Sequence, residues 1–187
     1  MDNLTGRTTA RMLDTVLSFV SPDQSLLRTV VAFGSRYAMT IQYEHQEYVQ
    51  TSPEHAFAVI DDLPRTAEWL PPCVALKKLD EGPNHVGDKL RYVYRQGGRE
   101  AEMEGEILAR IPGERLHCKY FDKGFEVSVD LRVAKKSDGT LTTHLIEITP
   151  KTFFGKLMSP MIRIGLGKQT RQAADNLKKL LESTSDA

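Results

Sequence analysis

The chain has 187 residues, enough for one domain with a hydrophobic core of its own. Lysine and arginine together number 25, as do aspartate and glutamate, so the formal net charge is zero. Nucleic-acid-binding proteins take most of their non-specific affinity from excess basic charge, so this balance argues against a nucleic-acid partner. Cys73 and Cys118 are too few for a disulfide framework and lack zinc-ligand spacing, which favours two reduced cysteines in a cytoplasmic protein.

The first 36 residues predict a helical segment. Apolar residues recur at helical spacing before Ser21, and Ser21-Pro22 then suits the start of a second helix. Charged residues interrupt these apolar runs, so they have the pattern of neither a signal peptide nor a membrane-spanning helix. We expect a helical extension over 1–36 beside a domain over 37–187. The extension would pack on that domain or on a second copy of the chain, as a homodimer contact.

The rest of the chain predicts a sheet between short and long helices. A first strand over 39–49 precedes a short helix over 52–62, with Ser52 as its cap, and a helical turn over 66–70. Six further strands follow, separated by glycine-containing turns, over 74–79, 89–95, 100–111, 115–121, 125–133 and 141–149. Strands joined by tight turns pair antiparallel. A long amphipathic helix over about 161–183 comes last.

Alternation along the strands indicates which face is buried. Four glutamates share one face of the third of these six strands, and like charges so close together are tolerable only in water. The opposite face carries Met103 and Ile107 and should point toward the long helix. Gly165 and Gly167 in that helix cost about 1 kcal/mol each relative to alanine. Either the helix begins after them, or their small size allows close approach or an opening beside a cavity.

A set of short segments lies in order over residues 39–183. They are SPEHAF over 52–57 with Asp61, Asp62 and Trp69 downstream, VGD over 86–88, GEI over 105–107 with ERL over 114–116, and GT over 139–140. With the order of elements, this set resembles the START-like, helix-grip (SRPBCC) superfamily, which includes birch-pollen-allergen-like proteins and the polyketide cyclase/dehydrase and lipid-transport families.

The resemblance implies an α+β, helix-grip fold. A curved antiparallel sheet of about seven strands would hold the long C-terminal helix, with a cavity between them and the N-terminal helical segment as an addition. Members of the superfamily bind apolar small molecules, and some catalyse ring closure or dehydration. The superfamily has no fixed catalytic set, so the resemblance leaves the catalytic residues unknown.

Candidate ligand-binding residues lie on the apolar faces of the strands and the long helix. They are Tyr92, Tyr94, Met103, Ile107, Cys118, Tyr120, Val127, Val129, His144, Ile146, Ile162 and Leu166. We place His144 inward because that leaves Glu147 in water. An inward imidazole either orients a ligand carbonyl, acts as acid or base, or is satisfied by a neighbouring hydroxyl. The tyrosines offer apolar bulk with one hydrogen bond, or ordinary packing.

No cofactor or metal is predicted. The acidic pair Asp61-Asp62 lacks the ligand alternation of a calcium loop, the histidines lack mutual metal spacing, and the glycines of the long helix lack the spacing of a phosphate loop. Three functions stay open. The first is binding of a lipid, polyketide or aromatic compound for carriage or sensing, and the second is catalysis of the polyketide cyclase/dehydratase type. The third is protein interaction through the N-terminal helices.

Overall fold

The structure is a computed structural model, and it describes residues 40–157 and 159–184. The predicted helical extension over 1–36, its packing and its homodimer contact lie outside the described residues. These expectations therefore stay predictions.

One antiparallel sheet of seven strands forms the body of the described chain. The strands are β1 (Ile41–Val49), β2 (Cys73–Lys78), β3 (Lys89–Gln96), β4 (Arg99–Ile111), β5 (Arg115–Phe121), β6 (Phe125–Lys136) and β7 (Gly139–Pro150). Their order across the sheet is β1-β7-β6-β5-β4-β3-β2. Consecutive strands from β2 through β7 pair as a meander, so β1 lies at one edge beside β7 and β2 at the other.

The chain crosses from one edge of the sheet to the other through short helices. These are α1 (Pro53–Asp61), a 3-10 turn (Leu63–Arg65) and α2 (Thr66–Trp69). The hydroxyl of Ser52 accepts a hydrogen bond from the backbone N–H of His55 at 3.2 Å, which satisfies one free donor of the first turn. Asp61 at the end of α1 forms an ion pair with Arg110 of β4 at 2.7 Å, which fixes α1 against the sheet.

Two further helices follow the sheet. The short α3 (Phe153–Leu157) was not predicted, since five residues are too few to show a helical period. The long α4 (Ser159–Thr184) begins two residues before the predicted start. The predicted architecture, a curved antiparallel sheet holding a long C-terminal helix, is confirmed.

The outer face of β4 carries the glutamate row that the alternation predicts. Glu100, Glu102 and Glu104 are exposed, and basic residues of β3 lie opposite the row. Two of the resulting ion pairs join Arg91 to Glu102 at 3.1 Å and Lys89 to Glu106 at 2.6 Å. Exposed pairs of this kind contribute about 0–1 kcal/mol each to stability. The charged residues therefore keep this face of the sheet in solvent but add little to the stability of the fold.

Candidate functional site

A cavity of about 570 Å³ lies between the inner face of the sheet and the N-terminal half of α4. This volume falls in the range of about 300–1,000 Å³ that is typical of small-molecule sites. Met161 and Gly165 of α4 and Arg95 of β3 line the cavity and are also exposed to solvent. The mouth of the cavity therefore lies between α4 and the C-terminal end of β3.

Eleven of the twelve candidate residues line the cavity: Tyr92, Tyr94, Met103, Cys118, Tyr120, Val127, Val129, His144, Ile146, Ile162 and Leu166. Ile107 does not line the cavity. Its side chain is completely buried in the main core cluster. Its backbone forms hydrogen bonds with Gly87 and Asp88 of the preceding loop. Arg110, three residues further along β4, forms the ion pair with Asp61 of α1. This part of β4 therefore lies where the core is filled.

Part of the lining was missed by the sequence prediction. Leu76, Leu116, Leu131 and Ile148 share strand faces with predicted residues or their partners, so the same alternation would have found them. A second group comes from α1, the 3-10 turn, α2 and the residues just after it: Ile60, Leu63, Thr66, Trp69, Leu70 and Pro72. No local pattern predicts this second group, because it depends on how the short helices dock.

The two glycines of α4 have different surroundings. A Cβ atom at Gly165 would meet no atom within 4 Å, which agrees with a position at the mouth. A Cβ atom at Gly167 would lie 3.0 Å from the ring of Tyr43 on β1. The first alternative, that the helix begins after the glycines, is wrong, because α4 already starts at Ser159. The second alternative holds: Gly165 leaves an opening, and Gly167 allows close approach of α4 to the sheet.

Three tyrosines form one wall. The rings of Tyr92 and Tyr94 are stacked with centroids 5.6 Å apart, and Tyr120 lies tilted against Tyr92 at 5.3 Å. Gly105 makes room for Tyr120, because a Cβ atom there would lie 2.5 Å from the tyrosine ring. Burial raises the pKa of Tyr92 and of Tyr120. Both hydroxyls therefore stay protonated near neutral pH and can donate hydrogen bonds.

The cavity also contains a buried thiol. Burial raises the pKa of Cys118 to about 12, and the side chain of Tyr120 is its hydrogen-bond neighbour. Cys73 is buried as well, and burial raises its pKa to about 11. Both cysteines are free. Thiols that stay protonated are poor nucleophiles, so Cys118 serves as apolar lining.

His144 and Trp69 place polar ring nitrogens next to each other in the cavity wall. His144 is 6 % exposed and points inward from β7. Burial, together with the charge of His45 opposite it on β1, lowers the pKa of His144 to about 4. The imidazole is therefore neutral near pH 7 and has one donor and one acceptor nitrogen. Within residues 40–157 and 159–184, no hydrogen bond to this side chain is formed, so a neighbouring hydroxyl does not satisfy it.

Trp69 stands edge-on to this imidazole, with ring centroids 6.0 Å apart and planes at 75°. The indole is 2 % exposed, and in the described part of the chain its N–H finds no hydrogen-bond partner. Leaving such a donor unpaired costs about 1–3 kcal/mol, so an unpaired buried N–H at a cavity wall suggests a partner that enters the cavity.

Among the described residues, no group of three or more His, Cys, Asp or Glu is placed to hold a metal ion. None of the helices within 40–157 and 159–184 is both long and apolar enough to cross a membrane.

Solved structures with this fold come from several bacteria. The aromatase/cyclase ZhuI from Streptomyces sp. R1128 superposes with a TM-score of 0.66 at 12% identity, over 77% of this chain and 94% of that one. A START superfamily protein from Mycobacterium smegmatis gives 0.64 at 15% identity, over 76% and 98%. A protein from Thermus thermophilus gives 0.65 at 14% identity, over 77% and 99%. At such identities the likeness concerns the fold alone.

No curated protein matches the chain significantly. Residues 40–182 match the family described as polyketide cyclase / dehydrase and lipid transport, which is most of the chain and all of the sheet. The resemblance inferred from the ordered short segments is thereby confirmed, and the protein belongs to the polyketide cyclase/dehydrase and lipid transport family.

Proposed function

We propose that the protein binds an apolar small molecule of the lipid, polyketide or aromatic class in this cavity, for carriage or sensing. The observation that carries the proposal is a cavity of about 570 Å³ whose walls are mostly hydrocarbon, with a few polar groups at defined points. Sites of this composition take their affinity from apolar burial and their orientation from the polar groups. Membership of a family that includes lipid transport supports the same reading.

The position of the polar groups defines the ligand further. The unpaired N–H of Trp69 and the neutral imidazole of His144 lie beside each other, so a ligand oxygen placed there would accept one or two hydrogen bonds. The walls on either side consist of aliphatic residues such as Val129 and Ile146. The expected ligand is therefore largely apolar, with a ketone, hydroxyl or similar oxygen at one end.

An apolar fluorescent probe tests whether the cavity is the binding site. The wild-type protein should bind about one equivalent, and Val129→Trp should abolish binding because the indole fills the volume. Overpacking of this kind costs about 1–3 kcal/mol of stability, so the variant should remain folded. Val74→Trp is the matched control, since Val74 is 37 % exposed and lies outside the lining. Unchanged probe affinity in a folded Val129→Trp protein would place binding elsewhere.

Mass spectrometry identifies the natural ligand. Protein purified natively from its source should carry a co-purifying apolar compound with an oxygen substituent. His144→Phe should lower the amount of that compound while leaving binding of a pure hydrocarbon probe intact. A compound retained equally by His144→Phe would contradict the role of the imidazole.

A second candidate function is catalysis of the cyclase or dehydratase type. The observation that favours it is a neutral imidazole, free of hydrogen bonds to the described residues, in the same cavity as protonated tyrosines. Ring closure and dehydration both require proton transfer, and a neutral imidazole can accept a proton. The protein would then convert a poly-β-ketone analogue, and His144→Gln would lose turnover but keep binding. Equal product formation by the variant would rule out this role for His144.

A cytoplasmic location, cofactor independence and the absence of a nucleic-acid partner stay predictions. Stoichiometric zinc or iron in untagged purified protein would contradict the second of these.

A further inference from the structure

The most exposed large apolar side chains of the described residues lie close together in the sequence, on α3 and at the start of α4. Phe153, Leu157, Met161 and Ile164 are 84 %, 67 %, 65 % and 79 % exposed. Phe153 and Leu157 are four residues apart on α3, while Met161 and Ile164 are three apart on α4, so each pair shares one helix face. We call these four residues the apolar stripe. Met161 also lines the cavity, which makes the stripe continuous with the mouth.

Basic residues flank the apolar stripe in the sequence. Between Glu147 and Asp175 the sequence has five basic residues and no acidic one, in a chain whose total net charge is zero. The five are exposed: Lys151, Lys156, Arg163, Lys168 and Arg171. Lys151 and Arg171 donate hydrogen bonds to Asp122 and Tyr43. The remaining three make no ion pair with any residue of 40–157 or 159–184.

We propose that the apolar stripe and its flanking basic residues dock the protein on the surface of an anionic lipid bilayer, with the cavity mouth at the membrane. Exposed apolar side chains enter the boundary between headgroups and acyl chains, and basic side chains around them bind anionic headgroups. Long lysine and arginine stems can keep their charges at headgroup level while the apolar residues enter deeper. If the cavity binds an apolar ligand, as the proposed function states, that ligand would then pass between the bilayer and the cavity with little exposure to water.

The charge distribution argues for lipid over the other occupants of such a surface. A second copy of the chain meeting this face symmetrically would bring the same five basic residues against the first five, which is repulsive. The segment over 1–36 carries four basic and three acidic residues, so it offers no complementary charge. An anionic bilayer offers both negative charge and an apolar interior.

Co-sedimentation of the full chain with lipid vesicles tests the proposal. The protein should bind vesicles of phosphatidylcholine mixed with phosphatidylglycerol, and bind pure phosphatidylcholine far more weakly. Added salt should weaken the binding, since it screens the basic residues. The double variant Phe153→Ser, Ile164→Ser should lower the apparent affinity about tenfold through loss of inserted apolar area. The double variant Lys156→Glu, Arg163→Glu should lower it by about fivefold for each basic residue lost.

Matched controls change similar residues elsewhere. Val86 is 61 % exposed and lies far along the chain from the stripe, so Val86→Ser should leave vesicle binding unchanged. Lys136→Glu alters an exposed basic residue at the end of β6 and should also have no effect. All the substituted residues are exposed, and thermal melting verifies that the variants fold.

Three outcomes would overturn the proposal: no binding to anionic vesicles, vesicle binding that the stripe variants leave unchanged, or stripe variants that alter oligomeric state without altering vesicle binding. Probe binding to the cavity is measured without vesicles and should be the same in wild type and stripe variants. Failure of membrane docking is thereby separable from failure of the cavity as a ligand site.

Discussion

The two halves of α4 face the same sheet in different ways. In the C-terminal half, Ala173, Leu177 and Leu181 recur every four residues and are 0 %, 4 % and 0 % exposed. They belong to the main core together with residues of α1 and α2, and Asn176 donates a hydrogen bond to the backbone oxygen of Trp69. Among the described residues of the N-terminal half, Leu166 is the one large apolar side chain that is buried. The cavity lies between this half of the helix and the sheet.

This difference shows how one helix can both fill a core and leave a cavity. The C-terminal half has large side chains at helical spacing and is covered by the short helices. The N-terminal half carries two glycines, and of its exposed apolar residues Met161 lines the cavity while Ile164 points to solvent. Stability should therefore depend mainly on one half of α4 and ligand binding on the other. The following substitutions test that division.

Truncation of leucines should give the largest effect. Leu181→Ala creates a cavity in a filled core and should lower the free energy of unfolding by about 2–5 kcal/mol. Leu166→Ala enlarges an existing cavity and should cost about 1–2 kcal/mol, because fewer contacts are lost. Denaturant unfolding measures both values. Probe affinity should change only in Leu166→Ala, and a larger stability loss there than in Leu181→Ala would refute the comparison.

His144 lines the cavity that faces the N-terminal half of α4, and its titration should be visible in the stability of the protein. Its pKa falls from 6.5 in the unfolded chain to about 4 in the folded protein, so the unfolded chain binds more protons between these values. The free energy of unfolding should therefore decrease as pH falls from about 6.5 toward about 4, by about 3 kcal/mol in total. Urea unfolding at several pH values measures the slope. His144→Gln should reduce it strongly, and a smaller slope should remain because burial also lowers the pKa of His117.

Carboxylates would act in a different pH window. Burial would raise the pKa of Asp130, but hydrogen bonds from Arg115 and Arg132 hold it below its usual 3.8, so its contribution is lost only at lower pH. The exposed His85 provides the control, and His85→Gln should retain the slope of the wild type. An identical slope in His144→Gln would mean that another group is responsible.

The glycines should give the smallest effect and the sharpest contrast within one half. Gly165→Ala should stabilise the protein by about 0.5–1 kcal/mol, since alanine favours the helix and its methyl group meets no atom within 4 Å. Gly167→Ala gains the same helix propensity but brings a Cβ atom to 3.0 Å from Tyr43. It should therefore be neutral or destabilising. Thermal melting distinguishes the two, and equal stabilisation would show that Tyr43 moves freely.

Local patterns were sufficient for most of the fold. Alternation predicted the strands and their buried faces, and Ser52-Pro53 predicted the start of α1. The β6–β7 hairpin is longer than predicted, because its ends at Lys136 and Gly139 are polar or lack a side chain and carry no apolar signal. The α3 helix was missed for lack of length.

The site was predicted less completely than the fold, for a different reason. Alternation determines which way a side chain points, but not whether empty space or another side chain lies in front of it. Ile107 points inward like Met103, yet it meets filled core, whereas Met103 meets the cavity. Where the cavity ends depends on the docking of α1 and α2, and that is set by long-range contacts such as Asp61 with Arg110.

Trp69 gives the protein a built-in optical reporter. It is the chain's one tryptophan, it lines the cavity, and its ring lies edge-on to His144. Emission excited selectively at the indole therefore comes from the cavity wall alone. A ligand oxygen that accepts the indole N–H should shift the emission wavelength, and protonation of His144 should change its intensity. Occupancy and titration can both be followed in the unlabelled wild-type protein.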